Sequence, residues 1–489
     1  MNTILRSALS STAERSSAPP YAPERNSISW TPVVAVFATV VWIASAIYMW
    51  HFGKSWHLDL RVYRAAGRSL LDHGTPFRSF FTTNHLPFTY SPFALLALTP
   101  LSFGPLGLVE GAWWLASSAA LVAALYVLIP NSTRIGTSRA RRLAIASLMG
   151  GAATLVLEPV RSNMDYGQIN LLLMWLVVAD LRQPRPKFRG LAIGLAAAVK
   201  LTPIVYLLFF AVRRDWRSVI QGAVAFSTLS LVAWLILPAD SALYWFHEVT
   251  DVARVGSIAS TSNQSLNGML HRLHFLGRAT NAAVWVALCF TVVVLGGLIV
   301  RRLASNQRPL VESVLVLALV ELLISPISWT HHWSWLALAP LTTLSLWRNH
   351  RRTSVLVGAT TAIGVVAPYW WGIQRGFGGF LADNSLVLAG IVTLFAWANS
   401  LFAAVPWALR SQDPGTAGSR TDCLELDRRL LVGFGREEPV TVVGEDDPRV
   451  SSASSCKCRN KERFAPRPVR SFAATSTSNR PADAVGTMD

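Results

Sequence analysis

Charge is scarce in this chain. Asp, Glu, Lys and Arg make up 15% of its 489 residues, where soluble proteins average about 25%. With 52% hydrophobic residues and a mean hydropathy of +0.38, that shortage excludes a string of ordinary soluble domains. Acidic residues are the scarcer kind, 27 against 44 Lys and Arg, for a net charge of +17. Residues 411–489 hold 12 of each sign, so the whole basic excess lies before them. Short basic loops between apolar runs mark cytoplasmic anchoring, and no basic–aromatic module suited to nucleic acid is present. Nucleic acid is therefore not an expected partner. Cysteine is also rare: Cys289 lies in an apolar run, and Cys423, Cys456 and Cys458 fall near the C-terminus. Cys456-Lys457-Cys458 lacks the second pair of ligands that a zinc site needs, so all four read as free thiols. No internal repeat is visible, which speaks against the inverted-repeat transporters.

Apolar runs of bilayer length are what the chain has in abundance. Residues 1–30 are rich in Ser and Pro, carry Arg6, Arg15 and Arg25, and read as a cytoplasmic arm. Residues 31–50 form a run of about the 20 residues that cross a bilayer, too long for a signal-peptide core, and read as a retained anchor. Eleven further runs lie between residues 91 and 409, several of them short or interrupted by Pro. The expectation is an all-α polytopic membrane domain over residues 31–410, with about 10–12 transmembrane or re-entrant helices. Residues 411–489, balanced in charge and rich in Ser, Pro and Arg, read as a disordered cytoplasmic tail.

Arginine clusters orient the runs. Those around residues 134–142, 182–189, 213–217, 301–308 and 348–352 mark five cytoplasmic loops by the positive-inside rule. Both termini are then cytoplasmic, and residues 51–90, 158–165, 239–279, 325–332 and 372–384 are extracytoplasmic. The run at 191–212 is basic at both ends and is broken by Lys200-Leu201-Thr202-Pro203. It cannot be one simple crossing. Its pattern predicts a re-entrant hairpin, whose irregular tip is tolerable only against protein or a wet cavity.

The polar strings gather on one face. The first outside segment has Asp59, Arg61 and Tyr63, then Tyr90 beside Pro92; the second has Glu158, Arg161, Asn163, Asp165, Gln168 and Asn170. The third has Asn263, Gln264, Asn267 and Arg272, and the fourth has Trp329, His331, His332 and Trp333. Lys200 joins them if the hairpin forms. Each has a plainer reading. Asp59 alone could pair with Arg61 at the membrane surface, Glu158, Arg161 and Asp165 could cap helix ends, and the amides could shape turns. Adjacent histidines on a helix diverge by about 100°, so His331 and His332 make a poor metal pair. Lys200 is harder to dismiss, because a lysine inside an apolar run is costly. Together these carboxylates, amides, imidazoles and cations describe a site for a polar, phosphorylated or sugar-like ligand at the membrane boundary.

The strings also resemble a known family. Asp59-x-x-Val62-Tyr63, Pro87-Phe88-Thr89-Tyr90-x-Pro92, Asp165-Tyr166-Gly167-Gln168-Ile169-Asn170, Val199-Lys200-Leu201-Thr202-Pro203, Asn263-Gln264-Ser265 and Ser325-Pro326-Ile327-Ser328-Trp329-Thr330-His331-His332 occur in the same order in glycosyltransferase family 87. The similarity is to its mycobacterial-type polyprenol-phosphate-mannose-dependent α-1,2-mannosyltransferases and spans about residues 31–409. Residues 411–489 match nothing in that pattern. The resemblance implies a GT-C fold, an extracytoplasmic site, a polyprenyl-phosphate mannose donor, a membrane glycolipid acceptor within the lipid bilayer, inversion at the sugar, and no metal or other cofactor. By its motif position Asp59 would be the catalytic base. Lys200, Arg272, His331 and His332 would hold the donor phosphate. Arg61, Tyr63, Tyr90, Arg161, Asn163, Asp165, Gln168, Asn170, Asn263 and Gln264 would meet sugar or acceptor, and Trp329 and Trp333 would stack on a ring or lipid. A related arabinosyl or mannan-branching transferase would carry the same motifs, and a lipid or solute transporter is the reading from a different class.

Overall fold

A computed structural model describes residues 31–52, 57–130, 138–273, 277–372 and 376–402. The arm expected at 1–30, the tail at 411–489 and Cys423, Cys456 and Cys458 lie outside the described residues. The fold is almost wholly helical, as the density of apolar runs requires; its one sheet pairs Phe80–Phe81 with Leu86–Pro87 in a short antiparallel hairpin.

Six helices are long and apolar enough to cross a bilayer. In chain order the helices begin with α1 (Thr31–Phe52), the amphipathic α2 (Leu58–Leu71), the short α3 (Pro92–Leu98), and α4 (Leu106–Leu128). α5 (Arg139–Val156) and α6 (Glu158–Tyr166) form a pair bent by 79°, which makes a seventh span if taken as one. Then come α7 (Asn170–Leu181), α8 (Leu191–Val199), α9 (Leu207–Val212), α10 (Trp216–Ile236), α11 (Pro238–Leu243) and α12 (Leu266–Leu273). The last six are α13 (Arg278–Ser305), α14 (Leu310–Ile324), α15 (Ala339–Leu346), α16 (Arg351–Val366), α17 (Gly376–Asp383) and α18 (Ser385–Phe402). The full-length spans are α1, α4, α10, α13, α16 and α18. The other runs became short helices inside the bundle, where neighbouring protein satisfies their free backbone groups.

Burial separates two kinds of apolar helix. α10 and α13 expose Ile220, Val224, Leu231, Leu235, Val286 and Phe290, the surface expected to face lipid tails. α14 is buried on nearly every side from Val311 to Leu323 and forms the centre of the bundle. It packs against α13, α15 and α18 and against the 3-10 turns Thr202–Tyr206 and Thr330–Leu338. A helix that is apolar all round belongs in such a centre.

The segment from 190 to 214 goes in and comes back. Arg189 and Asp215, at its two ends, form an ion pair with Nη1 and Oδ2 at 3.7 Å. Gln221 Nε2 donates to Lys187 O at 3.0 Å on the same side. α8 can lie this close to α10 because a Cβ on Gly194 would sit 2.4 Å from the Gly222 carbonyl oxygen. Small residues at such crossings let two backbones touch. At the far tip, α8 ends at Lys200, in extended conformation, and Pro203 opens the following 3-10 turn without needing a hydrogen-bond donor. The chain thus turns back beside its start, the hairpin course that the basic flanks led one to expect.

Candidate active site

Asp59 stands in the first turn of α2, and several contacts fix where that helix begins. The His57 amide donates to Asp165 O at 2.9 Å. Trp114 Nε1 donates to His57 Nε2 at 2.6 Å, while His57 Nδ1 lies 3.3 Å from Glu110 Oε1. From the other side comes the α6–α7 corner. Gly167 turns it with φ at +67°, and a Cβ there would sit 2.7 Å from Leu60 Cβ, so glycine suits both conformation and space. That corner delivers Gln168 onto the carboxylate.

Four side chains make a directed chain of hydrogen bonds. Tyr63 O–H donates to Tyr90 Oη at 2.9 Å, Tyr90 O–H donates to Gln168 Oε1 at 2.7 Å, and Gln168 Nε2 donates to Asp59 Oδ2 at 2.5 Å. The amide orientation of Gln168 follows from this chain, since its oxygen meets a phenol and its nitrogen meets a carboxylate. Burial pushes the Asp59 carboxyl up from 3.8 to about 6, while the Gln168 bond and the Lys200 ammonium pull it back.

Lys200 arrives from the re-entrant tip. Its Nζ donates to Asn170 Oδ1 at 2.8 Å, lies 3.2 Å from His332 Nε2, and sits 5.6 Å above the centre of the Tyr90 ring. Asn170 is held in turn, its Nδ2 donating to Asn163 Oδ1 at 3.0 Å. Tethered ammonium and carboxylate share one cavity of about 410 Å³, lined also by Tyr90, Gln168, Trp329 and His332. Ile204, Val205, Ile324 and Ile327 make part of its wall apolar. A second cavity, of about 320 Å³, is lined by Tyr166, Ser260, Ser262, His331 and Trp370. Asp59, Gln168 and Trp329 line both. The carboxylate therefore stands where two cavities meet.

The structure brings some expected residues into this site and holds others elsewhere. Asp59, Tyr90, Gln168, Lys200, Trp329 and His332 line the larger cavity, and His331 the smaller. Tyr63, Asn163 and Asn170 act behind them through the bonds above. Asp165 is half-buried and contributes its carbonyl to the start of α2. Arg61 instead pairs with Glu110 at 3.3 Å, and Arg161 is exposed. Arg272 donates to Asn384 Oδ1 at 2.7 and 3.0 Å, to Ser260 O at 2.6 Å and to Asn263 O at 2.9 Å, which makes it a strut between loops. Asn263 accepts from the Ser328 amide at 2.9 Å and donates to Ile258 O at 3.0 Å. Gln264 donates to Asp383 O at 2.7 Å and accepts from the Leu386 amide at 3.1 Å, tying the start of α18. Trp333 is fully buried against Gly390 of α18, where no ligand ring can reach it. Glu158 is likewise engaged, accepting from Tyr369 O–H at 2.5 Å, Trp370 Nε1 at 3.1 Å and Thr330 Oγ1 at 3.3 Å. Among the described residues no cluster of three His, Cys, Asp or Glu suits a metal ion.

Three contributors escaped the sequence reading. Glu321 of α14 and the ion-paired Glu248 and Arg254 also line the larger cavity. Arg254 Nη2 donates to Phe77 O at 2.5 Å and fastens the 248–256 loop over the Phe77–Tyr90 segment. Glu321 carried the same signal as Lys200, a lone charge within an apolar run, and was legible on that ground.

Comparison with known proteins places this arrangement in a family. Residues 88–326 match the sequence profile of glycosyltransferase family 87. The chain is 35% identical over 338 residues to the polyprenol-phosphate-mannose-dependent alpha-(1-2)-phosphatidylinositol mannoside mannosyltransferase of Mycolicibacterium smegmatis, an overlap of 64% of this chain and 75% of that protein. Its counterpart of the same name from Mycobacterium tuberculosis is 33% identical over 336 residues, covering 65% and 77%. A polyprenol-phosphate-mannose-dependent alpha-(1-2)-phosphatidylinositol pentamannoside mannosyltransferase from Mycolicibacterium smegmatis is 33% identical over 332 residues, covering 67% and 76%. With its many apolar helices, the chain is a multi-pass membrane enzyme, a glycosyltransferase that belongs to glycosyltransferase family 87.

Proposed function

We propose that this enzyme transfers mannose from polyprenol-phosphate mannose to a phosphatidylinositol mannoside-type glycolipid, forming an α-1,2 linkage with inversion at the anomeric carbon. The names of the relatives supply the donor and acceptor classes. The observation that carries the reading is the position of Asp59 at the junction of two cavities, with Lys200 and His332 in one of them. The larger cavity takes the donor, its phosphate beside Lys200 and His332 and the first prenyl units along Ile204, Val205 and Ile324. The smaller takes the terminal sugar of the acceptor between Tyr166, Trp370 and the Ser260 and Ser262 segment.

The reaction is a single displacement. The acceptor hydroxyl oxygen attacks the anomeric carbon of a β-linked mannosyl phosphate from the face opposite the phosphate. The carbon–oxygen bond to phosphate breaks as the new glycosidic bond forms, and its electron pair leaves with the phosphate. Asp59 takes the hydroxyl proton as positive charge grows on the anomeric carbon. Lys200 and the hydrogen-bonding imidazole of His332 offset the charge of the departing phosphate. The basic loops support a site on the extracytoplasmic face, with both termini in the cytoplasm.

The test is transfer in membranes that carry the enzyme, supplied with radiolabelled polyprenol-phosphate mannose and a phosphatidylinositol mannoside. The expected product carries one added α-1,2-mannose, released by an α-1,2-specific mannosidase. Product formed from GDP-mannose but not from the lipid donor would refute the proposal.

A further inference from the structure

An exposed tryptophan near a membrane boundary is ordinary, because indoles gather at headgroup level. Trp370 differs in being held by a buried carboxylate. It closes the 3-10 turn Pro368–Trp370 that follows α16, and its Nε1 donates to Glu158 Oε1 at 3.1 Å. The neighbouring Tyr369 donates to the other oxygen of the same carboxylate at 2.5 Å, and Thr330 donates to Oε1 at 3.3 Å. Ala367, just before the turn, is left-handed with φ at +51°, uncommon for a residue with a side chain. The turn is thus fixed from several sides, yet Trp370 stays 50% exposed. Its N–H is spent inward, so what it offers outward is the face of its ring. Trp370 lines the smaller cavity and not the larger, whereas Trp371, 59% exposed, lines neither. α6 supplies Glu158 as its first residue and Tyr166 as its last, so one helix carries both the anchor of the indole and another aromatic wall of that cavity. Tyr166 packs in turn against His331, with ring centres 5.3 Å apart.

We propose that Trp370 is a specificity-determining residue for the acceptor, its indole face stacking on the terminal sugar, and that Glu158 is the positioning residue that holds the indole in place. This deepens the reading of the smaller cavity as the acceptor site and rests on it. A pyranose carries C–H bonds on its faces and most of its hydroxyls around its rim. The face of an indole is electron-rich and attracts those polarised hydrogens. A platform fixed beforehand also gives up no rotamer freedom when the sugar arrives. A ring seated on Trp370 lies in the cavity that Asp59 also lines, which restricts the hydroxyls that can meet the carboxylate.

The experiment measures acceptor KM, donor KM and kcat for the full-length enzyme in membranes, with polyprenol-phosphate mannose and a phosphatidylinositol mannoside. Trp370→Ala should raise acceptor KM by about 10-fold or more, the scale of one lost aromatic contact, and leave donor KM where it is. Trp370→Phe keeps an aromatic face and gives up the bond to Glu158, so its acceptor KM should rise by less. Trp370→Leu keeps apolar bulk without a ring face and should behave as Ala does. Glu158→Ala frees the indole and should raise acceptor KM, while Glu158→Gln, which still offers the indole an oxygen, should stay nearer the parent. Trp371→Ala is the control for interfacial anchoring and should change neither KM. An acceptor KM unchanged in Trp370→Ala, matched by donor KM, or raised as much in Trp371→Ala would overturn the role of Trp370. An acceptor KM unchanged in Glu158→Ala would overturn that of Glu158. Ser262→Phe fills the same cavity from another wall and separates the two readings. If it raises acceptor KM while the Trp370 variants do not, only the Trp370 inference falls; if it too leaves acceptor KM unchanged, the acceptor-site reading itself falls.

Discussion

Replacing Asp59 by Asn tests the base directly, because activity and stability should move in opposite directions. The carboxyl is pushed from 3.8 to about 6, chiefly by burial. Two pKa units correspond to about 3 kcal/mol, and water in the cavity makes that an upper bound, since Asp59 is only half-buried. The sign follows from the direction of the shift. The folded protein favours the protonated acid, so this stabilising contribution is full below about pH 4, is lost as pH rises through about 6, and is absent at neutral pH. Asn carries no such cost and still accepts from Gln168 through its carbonyl oxygen. Asp59→Asn should therefore be at least as stable as the parent at pH 7, by thermal unfolding in detergent, while turnover falls by about 10²-fold or more, as expected for loss of a general base. In the parent, kcat/KM should drop about tenfold per pH unit below pH 6 and level off above it, and the residual activity of the Asn variant should lack that limb. Near-normal turnover by a well-expressed Asp59→Asn enzyme would refute the assignment. Equal losses of stability and activity would instead make Asp59 a structural anchor. The base would then have to be another carboxylate, Asp165 or Glu158, each tested by its own Asn or Gln variant.

Glu158→Ala leaves the buried Tyr369 hydroxyl and the Trp370 indole without their acceptor, so it should cost about 2–4 kcal/mol of stability, seen as a lower melting temperature; the protein that does fold should keep its donor KM. Arg272→Ala removes two bonds to Asn384 and two to the Ser260 and Asn263 carbonyls and should lower the melting temperature without raising donor KM, whereas a specific rise in donor KM would restore it to the phosphate site. Single cysteines at Ser262 or Gly376 should react with a membrane-impermeant thiol reagent added outside, and those at Ser138 or Asn306 should not; the reverse pattern would place the site on the cytoplasmic face.

Much of this was legible because lipid leaves a chain few options. Hydrophobic run length implies helices, and basic flanks on both sides of 191–212 imply return to the starting face, as the Arg189–Asp215 pair reports. Lys200 was conspicuous for the same reason. What the sequence did not separate was side chains that meet ligand from those that hold the loops presenting them. Arg272, Asn263 and Gln264 belong to polar strings as dense as the one around Gln168, but they bond to backbone groups of neighbouring loops and turns. Long loops between helices carry many backbone donors and acceptors outside regular elements, and polar side chains are the means of satisfying them. A run of amides and an arginine therefore looks the same whether it binds a sugar or staples a loop. Only the partners in the folded protein distinguish the two, and some of them, such as Asp383 and Asn384, lie more than a hundred residues away.

As the proposed base, Asp59 also shows how the fold would resolve a chemical difficulty visible in the sequence. A carboxylate with a pKa near 4 is a feeble base for an alcohol. Burial raises its proton affinity, but burial alone would carry it on toward a neutral acid that could take no proton at all. Opposing that are the Gln168 N–H and the Lys200 ammonium, which hold the group near 6, ionised at neutral pH and about a hundredfold more basic than in water. The Tyr63–Tyr90–Gln168 chain fixes the Gln168 nitrogen toward Asp59, since its oxygen is already taken by the Tyr90 phenol. These parts come from four segments: α2 for Asp59 and Tyr63, the Leu86–Tyr90 stretch, the α6–α7 corner and the tip at Lys200. The spread of the motif strings along the chain is thus a physical requirement, because no single helix could both bury a carboxylate and surround it with the donors that keep it charged.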